Sequence, residues 1–179
     1  MYIWTGIDVD DQLGEIKNKA LNIDKDIKFN NSCFTLPLHI SLKTAFQMDK
    51  LLFENVIATI NDYYLSIRPF EICIDKLEKY DNIIWIRMHR NEGLDKIHDD
   101  LNNILKDEFN IGLHEYDLDY KYHTTLFMDD NFNDISEAYS LIKDEKIPSK
   151  IMANQFLIGI SESGELGSYS IYKKIRRNS

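Results

Sequence analysis

The sequence is poor in the residues that build disulfide frameworks, flexible linkers and membrane spans. Its two cysteines, Cys33 and Cys73, belong to no metal-binding or redox motif, which predicts a reducing, cytoplasmic environment. Three prolines and seven glycines are too few for a low-complexity linker. No apolar run approaches the roughly 18 residues of a membrane span, and the N-terminal segment does not resemble a signal peptide. We therefore expect one soluble domain over residues 1–179, monomeric and without a membrane partner.

Positive charge is also scarce. The chain has 30 acidic and 21 basic residues, and its formal net charge is −9. A protein that follows a long nucleic-acid backbone needs a basic surface to displace counterions. The one dense basic run, residues 173–177, is interpreted as the solvated end of a strand or a tail. Long duplex DNA or RNA is therefore not expected as a partner, whereas a small phosphorylated ligand in a locally neutral pocket is compatible with the composition.

Hydrophobic periodicity predicts eleven elements in the order β-α-β-α-β-β-α-β-α-β-β. The predicted strands cover residues 2–10, 34–46, 69–80, 82–89, 120–128, 154–161 and 168–175. The predicted helices end near Ile23, follow Asp49, run from Leu94 to about Phe109, and lie near residues 135–143. The order contains a strand-helix-strand theme twice, without a shift in composition between the copies. It predicts a single α+β domain.

Two of the predicted strands carry the same polar pattern, "HISL" at residues 39–42 and "HTTL" at residues 123–126. Side chains two positions apart in a strand point to the same face. The residues predicted to share that face are His39, Ser41 and Lys43 in the first strand and His123, Thr125 and Phe127 in the second. If the two strands lie side by side about a pseudo-two-fold axis, both histidines and both hydroxyls converge on one groove.

Two histidines and two hydroxyls in one groove suit displacement at phosphorus. The attacking and leaving oxygens lie on opposite sides of the phosphorus, so one imidazole can act as base and the other as acid. Imidazole suits both roles because its ordinary pKa of about 6.5 leaves both protonation states populated near neutral pH. The hydroxyls can donate to the non-bridging oxygens as charge moves onto them. This chemistry requires no metal and no cofactor.

The histidines have two other interpretations. A single His-x-Ser in a strand is usually structural, and the pair can arise by chance, but the shared leucine and the separate halves of the chain favour a catalytic pair. A metal site could combine both histidines with Asp129 and Asp130, although His-x-Ser is not a common ligand spacing and no HExxH or H-x-H cluster is present. The other histidines are expected to be surface or structural residues: His89, His98 and His114.

The two H-x-[ST]-hydrophobic motifs, paired in this order, resemble those of the 2H phosphoesterase superfamily, and in particular its LigT-like "2′-5′ RNA ligase" group and cyclic phosphodiesterase relatives. Residues 2–16 resemble the opening strand and helix of that group, and residues 156–175 are similar to its closing strand pair. The resemblance implies a bilobal α+β fold, with two pseudo-symmetric antiparallel-sheet lobes and outer helices around a central cleft.

The resemblance also implies roles for the motif residues. His39 and His123 would be the catalytic pair, and Ser41 and Thr125 would bind the phosphate. The family hydrolyses, or in reverse joins, 2′ linkages and 2′,3′-cyclic phosphates without a metal. The sequence departs from the family pattern in two places. Tyr122 stands where a proline often precedes the second histidine, and Phe127 and Met128 stand where a basic residue often follows. These departures leave the substrate subgroup open.

Three further residues are candidates for substrate binding. Lys43 and Phe127 occupy equivalent positions, two residues after each hydroxyl, so Lys43 could contact phosphate and Phe127 could stack on a base. A solvated lysine and a core phenylalanine are the alternatives. Tyr169 ends the segment 162–169, which is either a simple hairpin loop or a lid that reaches the ligand.

The sequence thus predicts a metal-independent phosphodiesterase without a cofactor. Its substrate would be a nucleotide or a short or cyclic oligonucleotide, in which it opens a 2′,3′-cyclic phosphate or cleaves a 2′-5′ linkage. Two alternatives stay open. One is a binding module that holds a 2′-phosphorylated or cyclic nucleotide without turnover, and the other is a cyclic phosphodiesterase for a non-RNA ligand such as ADP-ribose cyclic phosphate. Which histidine is the base and which the acid is not assigned.

Overall fold

The computed structural model describes residues 1–29 and 33–176, so Arg177, at the end of the basic run, lies outside it. The described residues form eight strands and four α-helices. The strands are β1 (Tyr2–Asp8), β2 (His39–Gln47), β3 (Phe70–Tyr80), β4 (Ile83–Met88), β5 (His123–Met128), β6 (Lys150–Ala153), β7 (Gln155–Ser161) and β8 (Ser170–Arg176). The helices are α1 (Gly14–Ile27), α2 (Phe53–Ser66), α3 (Glu92–Phe109) and α4 (Phe132–Ile142).

The strands form two four-stranded antiparallel sheets, with the orders β2-β1-β7-β8 and β5-β4-β3-β6. The unit β1-α1-β2 of one sheet corresponds to β4-α3-β5 of the other. The motif strands β2 and β5 are edge strands of their own sheets and contact each other. The predicted α+β architecture with two lobes is confirmed, and the motif strands meet where the lobes meet.

The helices of each half contact the motif strand of the other half. Helix α3 packs against β2, and α1 contacts β5. The chain that follows each helix continues this exchange, because the 3-10 turn Glu115–Asp117 contacts β2 and the 3-10 turn Cys33–Thr35 contacts β5. Each half of the site is therefore completed by a segment from the other half.

Among the strands and α-helices of the described residues, β6 was not predicted by the periodicity. It is only four residues long, alternates between exposed and buried positions, and pairs with β3. Asn154 alone separates it from β7. A segment this short carries too few alternations for a sequence pattern to distinguish it from the strand that follows.

A hydrophobic core extends across both sheets. Strand β2 contributes Ile40 and Leu42, Leu38 lies directly before it, and β5 contributes Leu126, each no more than 2% exposed. Full burial of such a side chain stabilises a fold by roughly 1.5–3 kcal/mol. The apolar faces of β2 and β5 therefore anchor the histidines that project from their other faces. In the described part of the chain, no helix is both long enough and apolar enough to cross a membrane.

Candidate active site

A cleft of about 680 Å³ opens between the two motif strands. Its walls include His39 and Ser41 from β2 and His123 and Thr125 from β5. This volume lies within the roughly 300–1,000 Å³ of ligand pockets. The convergence of the four motif residues on one groove is confirmed, whereas their chemical roles stay predictions.

Both histidine rings are oriented by a backbone carbonyl two residues earlier in the chain. The Nδ1 atom of His39 lies 2.8 Å from the carbonyl oxygen of Pro37, and that of His123 lies 2.6 Å from the carbonyl oxygen of Lys121. A carbonyl oxygen only accepts, so each Nδ1 must carry a hydrogen and donate it. In the neutral ring, Nε2 is then the unprotonated nitrogen. Both imidazoles are held in the tautomer that leaves Nε2 able to take up a proton.

Each histidine also packs against a tryptophan from the neighbouring strand. The rings of His39 and Trp4 stack with centroids 4.2 Å apart and planes at 28°, and those of His123 and Trp85 lie 4.3 Å apart at 45°. The Trp4 indole lies so close to Gly159 that a Cβ atom there would overlap it. These contacts restrict the orientation of both imidazoles in addition to the carbonyl hydrogen bonds.

Burial lowers the pKa of both histidines. For His39, the pKa is lowered first by burial and further by the charge of His123, while the Pro37 carbonyl and Asp8 oppose the shift. For His123, burial lowers the pKa against the opposing effect of the Lys121 carbonyl. Both rings are therefore neutral in the free protein at neutral pH. A phosphate anion between them would favour a proton on one of the two rings.

Each motif strand contains a bulge directly after its hydroxyl residue. In β2, Ser41 and Lys43 pair with two consecutive residues of β1. Leu42, between them, is therefore the additional residue. In β5, Thr125 and Phe127 likewise pair with two consecutive residues of β4, so Leu126 is the additional residue. A bulge of this kind interrupts the alternation of faces. From this point the sequence-based assignment of faces no longer holds in either strand.

Lys43 does not present its charge to the groove, although it borders the cleft. Its side chain is fully buried, and its ammonium group is ion-paired with Asp117 and donates to the carbonyl oxygen of Gly112 at 3.3 Å. Asp117 also accepts from the hydroxyl of Thr44 at 2.8 Å. The predicted phosphate contact of Lys43 is therefore wrong, because the bulge turns the side chain away from the groove into a buried ion pair.

Phe127 lies in the core and is 2% exposed. Its ring packs against Phe29 and Phe34, with centroid distances of 5.0 and 6.0 Å. The predicted stacking of Phe127 on a base is therefore wrong for the same reason as at Lys43, and the alternative of a core phenylalanine is correct.

The loop between β7 and β8 forms another wall of the cleft, through Leu166, Gly167 and Tyr169. The Tyr169 hydroxyl donates to the carbonyl oxygen of Gly164 at 3.4 Å, within the loop itself. Gly164 and Gly167 have φ angles of 78° and 81°, which favour glycine, so the loop depends on both. Tyr169 thus reaches the cleft, and its contact with a ligand stays a prediction.

Three neighbours of the histidines are not evident from the sequence: Trp4, Trp85 and Asp8. Asp8 is opposite His39 in the β1–β2 register, and its carboxylate accepts from Gln155 at 2.7 Å and from Lys174 at 3.0 Å. Trp85 lies in the apolar run "IIWI". Because this run does not alternate with polar residues, the sequence does not show which face of the strand Trp85 occupies. Only the pairing of strands reveals that these residues lie against the motif.

The metal-site alternative requires both histidines to converge with the carboxylates of Asp129 and Asp130. Within residues 1–29 and 33–176, no group of three or more histidine, cysteine, aspartate or glutamate side chains is arranged to hold a metal ion. The histidines outside the motifs have the expected structural or surface positions. His98 is buried against Tyr120, with ring centroids 4.9 Å apart, whereas His89 and His114 are exposed.

Comparison with known proteins agrees with this geometry. The family model described as the 2′-5′ RNA ligase superfamily matches residues 19–164. A comparison with curated proteins found no match. The solved structure of a phosphoesterase is similar to this chain, with a TM-score of 0.61. The two sequences are 12% identical, and the comparison covers 99% of this chain and 98% of the phosphoesterase.

Two other solved structures show the same similarity. TT0787 of Thermus thermophilus is 14% identical to this chain, with a TM-score of 0.59. The comparison covers 98% of this chain and 97% of TT0787. E. coli LigT complexed with 3′-AMP is 14% identical, with 99% and 98% covered and a TM-score of 0.57. LigT has also been solved with phosphate, ATP and NADP+. At these identities the structural comparisons establish a common fold.

Proposed function

The chain belongs to the 2′-5′ RNA ligase superfamily of 2H phosphoesterases, and we propose that it is a metal-independent phosphodiesterase with His39 and His123 as its catalytic pair. Its substrates would be 2′,3′-cyclic phosphates or 2′-5′ linkages in nucleotides or in short or cyclic oligonucleotides. The observation that carries the proposal is the matched pair of histidines. Both rings border one cleft, and both are held with Nε2 as the free nitrogen.

The proposed reaction transfers one proton at each end of the displacement. The neutral Nε2 of one histidine takes a proton from water as the water oxygen bonds to phosphorus. The bond from phosphorus to the ribose oxygen breaks, and that oxygen takes a proton from the protonated Nε2 of the other histidine. Ser41 and Thr125 donate to the non-bridging oxygens. The products are a phosphomonoester and a free ribose hydroxyl.

The dimensions and walls of the cleft support a ligand the size of a nucleotide. A volume of about 680 Å³ accommodates a small phosphorylated molecule, and Leu166 and Tyr169 add apolar surface beside the motif residues. E. coli LigT has been crystallised in complex with phosphate, 3′-AMP, ATP and NADP+. A protein with a net charge of −9 is better suited to such ligands than to long duplexes.

The proposal is tested by turnover of a 2′,3′-cyclic mononucleotide in the presence of EDTA. We expect the wild-type protein to remain active and His39→Ala and His123→Ala each to lose on the order of 10²- to 10⁴-fold in kcat. His114→Ala is the matched control, since this histidine is exposed and is expected to leave turnover unchanged.

Other outcomes would redirect the assignment. Activity that disappears with the chelator would contradict the metal-independent mechanism. Binding of 3′-AMP without turnover of cyclic mononucleotides, 2′-5′ dinucleotides, cyclic oligonucleotides or ADP-ribose cyclic phosphate would indicate the binding module instead of the enzyme.

A further inference from the structure

An exposed aromatic ring lies close to the second catalytic histidine, outside the walls of the cleft described above. Tyr80, the last residue of β3, is 54% exposed. Its ring is nearly parallel to that of Trp85, with centroids 5.0 Å apart and planes at 15°, and Trp85 in turn packs on His123 at 4.3 Å. These two steps place the Tyr80 ring less than about 10 Å from the His123 ring.

A cationic side chain accompanies this ring. The ammonium group of Lys121 lies 5.4 Å from the centre of the Tyr80 ring, and Lys121 is exposed. The carbonyl oxygen of the same lysine accepts the hydrogen bond from Nδ1 of His123. Lys121 therefore contacts the Tyr80 ring through its side chain and His123 through its backbone.

Trp4 and Trp85 are equally buried, at 6% and 7% exposed. Among the described residues, however, no exposed aromatic ring stacks on Trp4 in the way that Tyr80 stacks on Trp85. The loop that carries Leu166 and Tyr169 forms one wall of the cleft. A polynucleotide chain that extends beyond the reacting phosphate therefore has an open aromatic and cationic path on the His123 side.

Single-stranded nucleic acids are bound by this combination of an aromatic face for a base and a cation for the backbone. Bases of a single strand can be splayed out of their stack and placed on aromatic side chains, so a ring about 10 Å from the catalytic histidine is within reach of a neighbouring nucleotide. Negative charge on such a ligand complements Lys121 in a protein whose overall charge would otherwise repel it.

We infer that Tyr80 and Lys121 form a binding subsite for the nucleotide next to the reacting phosphate. The base stacks on Tyr80, and the backbone phosphate contacts Lys121. The inference rests on the proposed function and deepens it, because it names short single-stranded oligonucleotides as better substrates than mononucleotides.

The test compares two substrates in Tyr80→Ala: a 2′,3′-cyclic mononucleotide and a dinucleotide that ends in the same cyclic phosphate. We expect the ratio of kcat/KM for the dinucleotide to that for the mononucleotide to fall on the order of tenfold, since stacking on an aromatic side chain is lost. Tyr80→Phe should retain the wild-type ratio, and Lys121→Gln should lower it less than Tyr80→Ala. Tyr172→Ala, which removes another exposed tyrosine from β8 at the sheet edge opposite β2, is the matched control and should leave the ratio unchanged.

A purely structural role for Tyr80 would give a different result. If the ring only supports Trp85 and His123, Tyr80→Ala lowers kcat/KM for both substrates equally, and the unchanged ratio overturns the inference. If the wild-type protein turns over neither substrate, the proposed function fails separately, and the subsite is then tested by binding. Tyr80→Ala should weaken binding of a 3′-phosphorylated dinucleotide more than binding of 3′-AMP, and equal weakening would contradict the subsite.

Discussion

The residue that follows the bulge has opposite chemistry in the two halves of the site. In the first half it is Lys43, whose buried ammonium is paired with Asp117 from the segment after α3. In the second half it is Phe127, whose ring packs against Phe29 and Phe34 from the segment after α1. In both halves the partner comes from the 3-10 turn or loop of the opposite half.

This difference shows which features the two halves of the site share and which residue can vary between them. Both halves keep the histidine, the hydroxyl and the bulge, so the backbone path that aims these groups into the cleft is common to them. The side chain after the bulge only has to hold the strand against the segment from the other half. A buried ion pair and an aromatic cluster both do so, but they respond differently to substitution, because an unpaired buried charge is far more costly than a smaller apolar side chain.

The largest expected effect comes from removing one partner of the ion pair. Lys43→Met should lower the free energy of unfolding by about 3–5 kcal/mol, because it leaves the carboxylate of Asp117 buried without its cation. Phe127→Leu should lower the free energy of unfolding by less, about 1–2 kcal/mol, because it removes only part of an apolar contact. Urea unfolding of both variants measures the difference between the two halves.

Two further variants control this comparison. Lys43→Met combined with Asp117→Asn should recover part of the loss, since no buried charge is left unpaired. Lys50→Met removes a lysine whose ion pair with Glu162 is exposed, and it should change stability little. Equal losses for Lys43→Met and Lys50→Met would show that the buried pair does not distinguish the first half.

A smaller effect is expected at the tryptophan of the first half. Gly159→Ala would place a Cβ atom inside the space of the Trp4 indole and displace that ring from His39. Overpacking of this kind costs about 1–3 kcal/mol. We expect both a lower melting temperature and a lower kcat, because the orientation of His39 depends on the indole.

Gly14→Ala is the matched control for this substitution. A Cβ atom at Gly14 meets nothing within 4 Å, and the residue has helical dihedral angles at the start of α1. Stability should therefore stay the same or rise by up to about 1 kcal/mol. Wild-type activity in Gly159→Ala would contradict the role of the indole in orienting His39.

The pH dependence should show that both histidines titrate below their ordinary pKa of 6.5, because burial lowers both pKa values. The reactive form has one neutral and one protonated ring, so it is most populated between the two pKa values. We expect kcat/KM to be greatest below pH 6.5 and to fall as the pH rises through the higher of the two. A maximum above pH 7 would contradict this expectation.

Asp8 distinguishes the two histidines in the same measurement. Its carboxylate raises the pKa of His39, so Asp8→Asn should move the limb of the profile that belongs to His39 to lower pH. If the alkaline limb moves, His39 is the acid, and if the acidic limb moves, it is the base. Asp11→Asn, at an exposed position before α1, should move neither limb.

Sequence patterns were sufficient for the parts of this protein that depend on local repetition. The alternation of β2 and β5 placed His39 with Ser41 and His123 with Thr125, since two consecutive steps of a strand preserve the face. The helices were also predictable, because apolar residues recur over three or more turns. Strand β6 was missed because four residues carry almost no periodic signal.

The sequence by itself therefore determined the fold class, the helices, most strands and the two histidine-hydroxyl pairs. Only the tertiary structure decided where Lys43, Phe127, Trp4, Trp85 and Tyr80 lie relative to those pairs. The bulges after Ser41 and Thr125 depend on pairing with β1 and β4, and pairing joins residues that are far apart in the chain. A single additional residue in a strand reverses the faces that follow it up to the next irregularity, such as the one between Lys43 and Phe46, and no local pattern records that reversal.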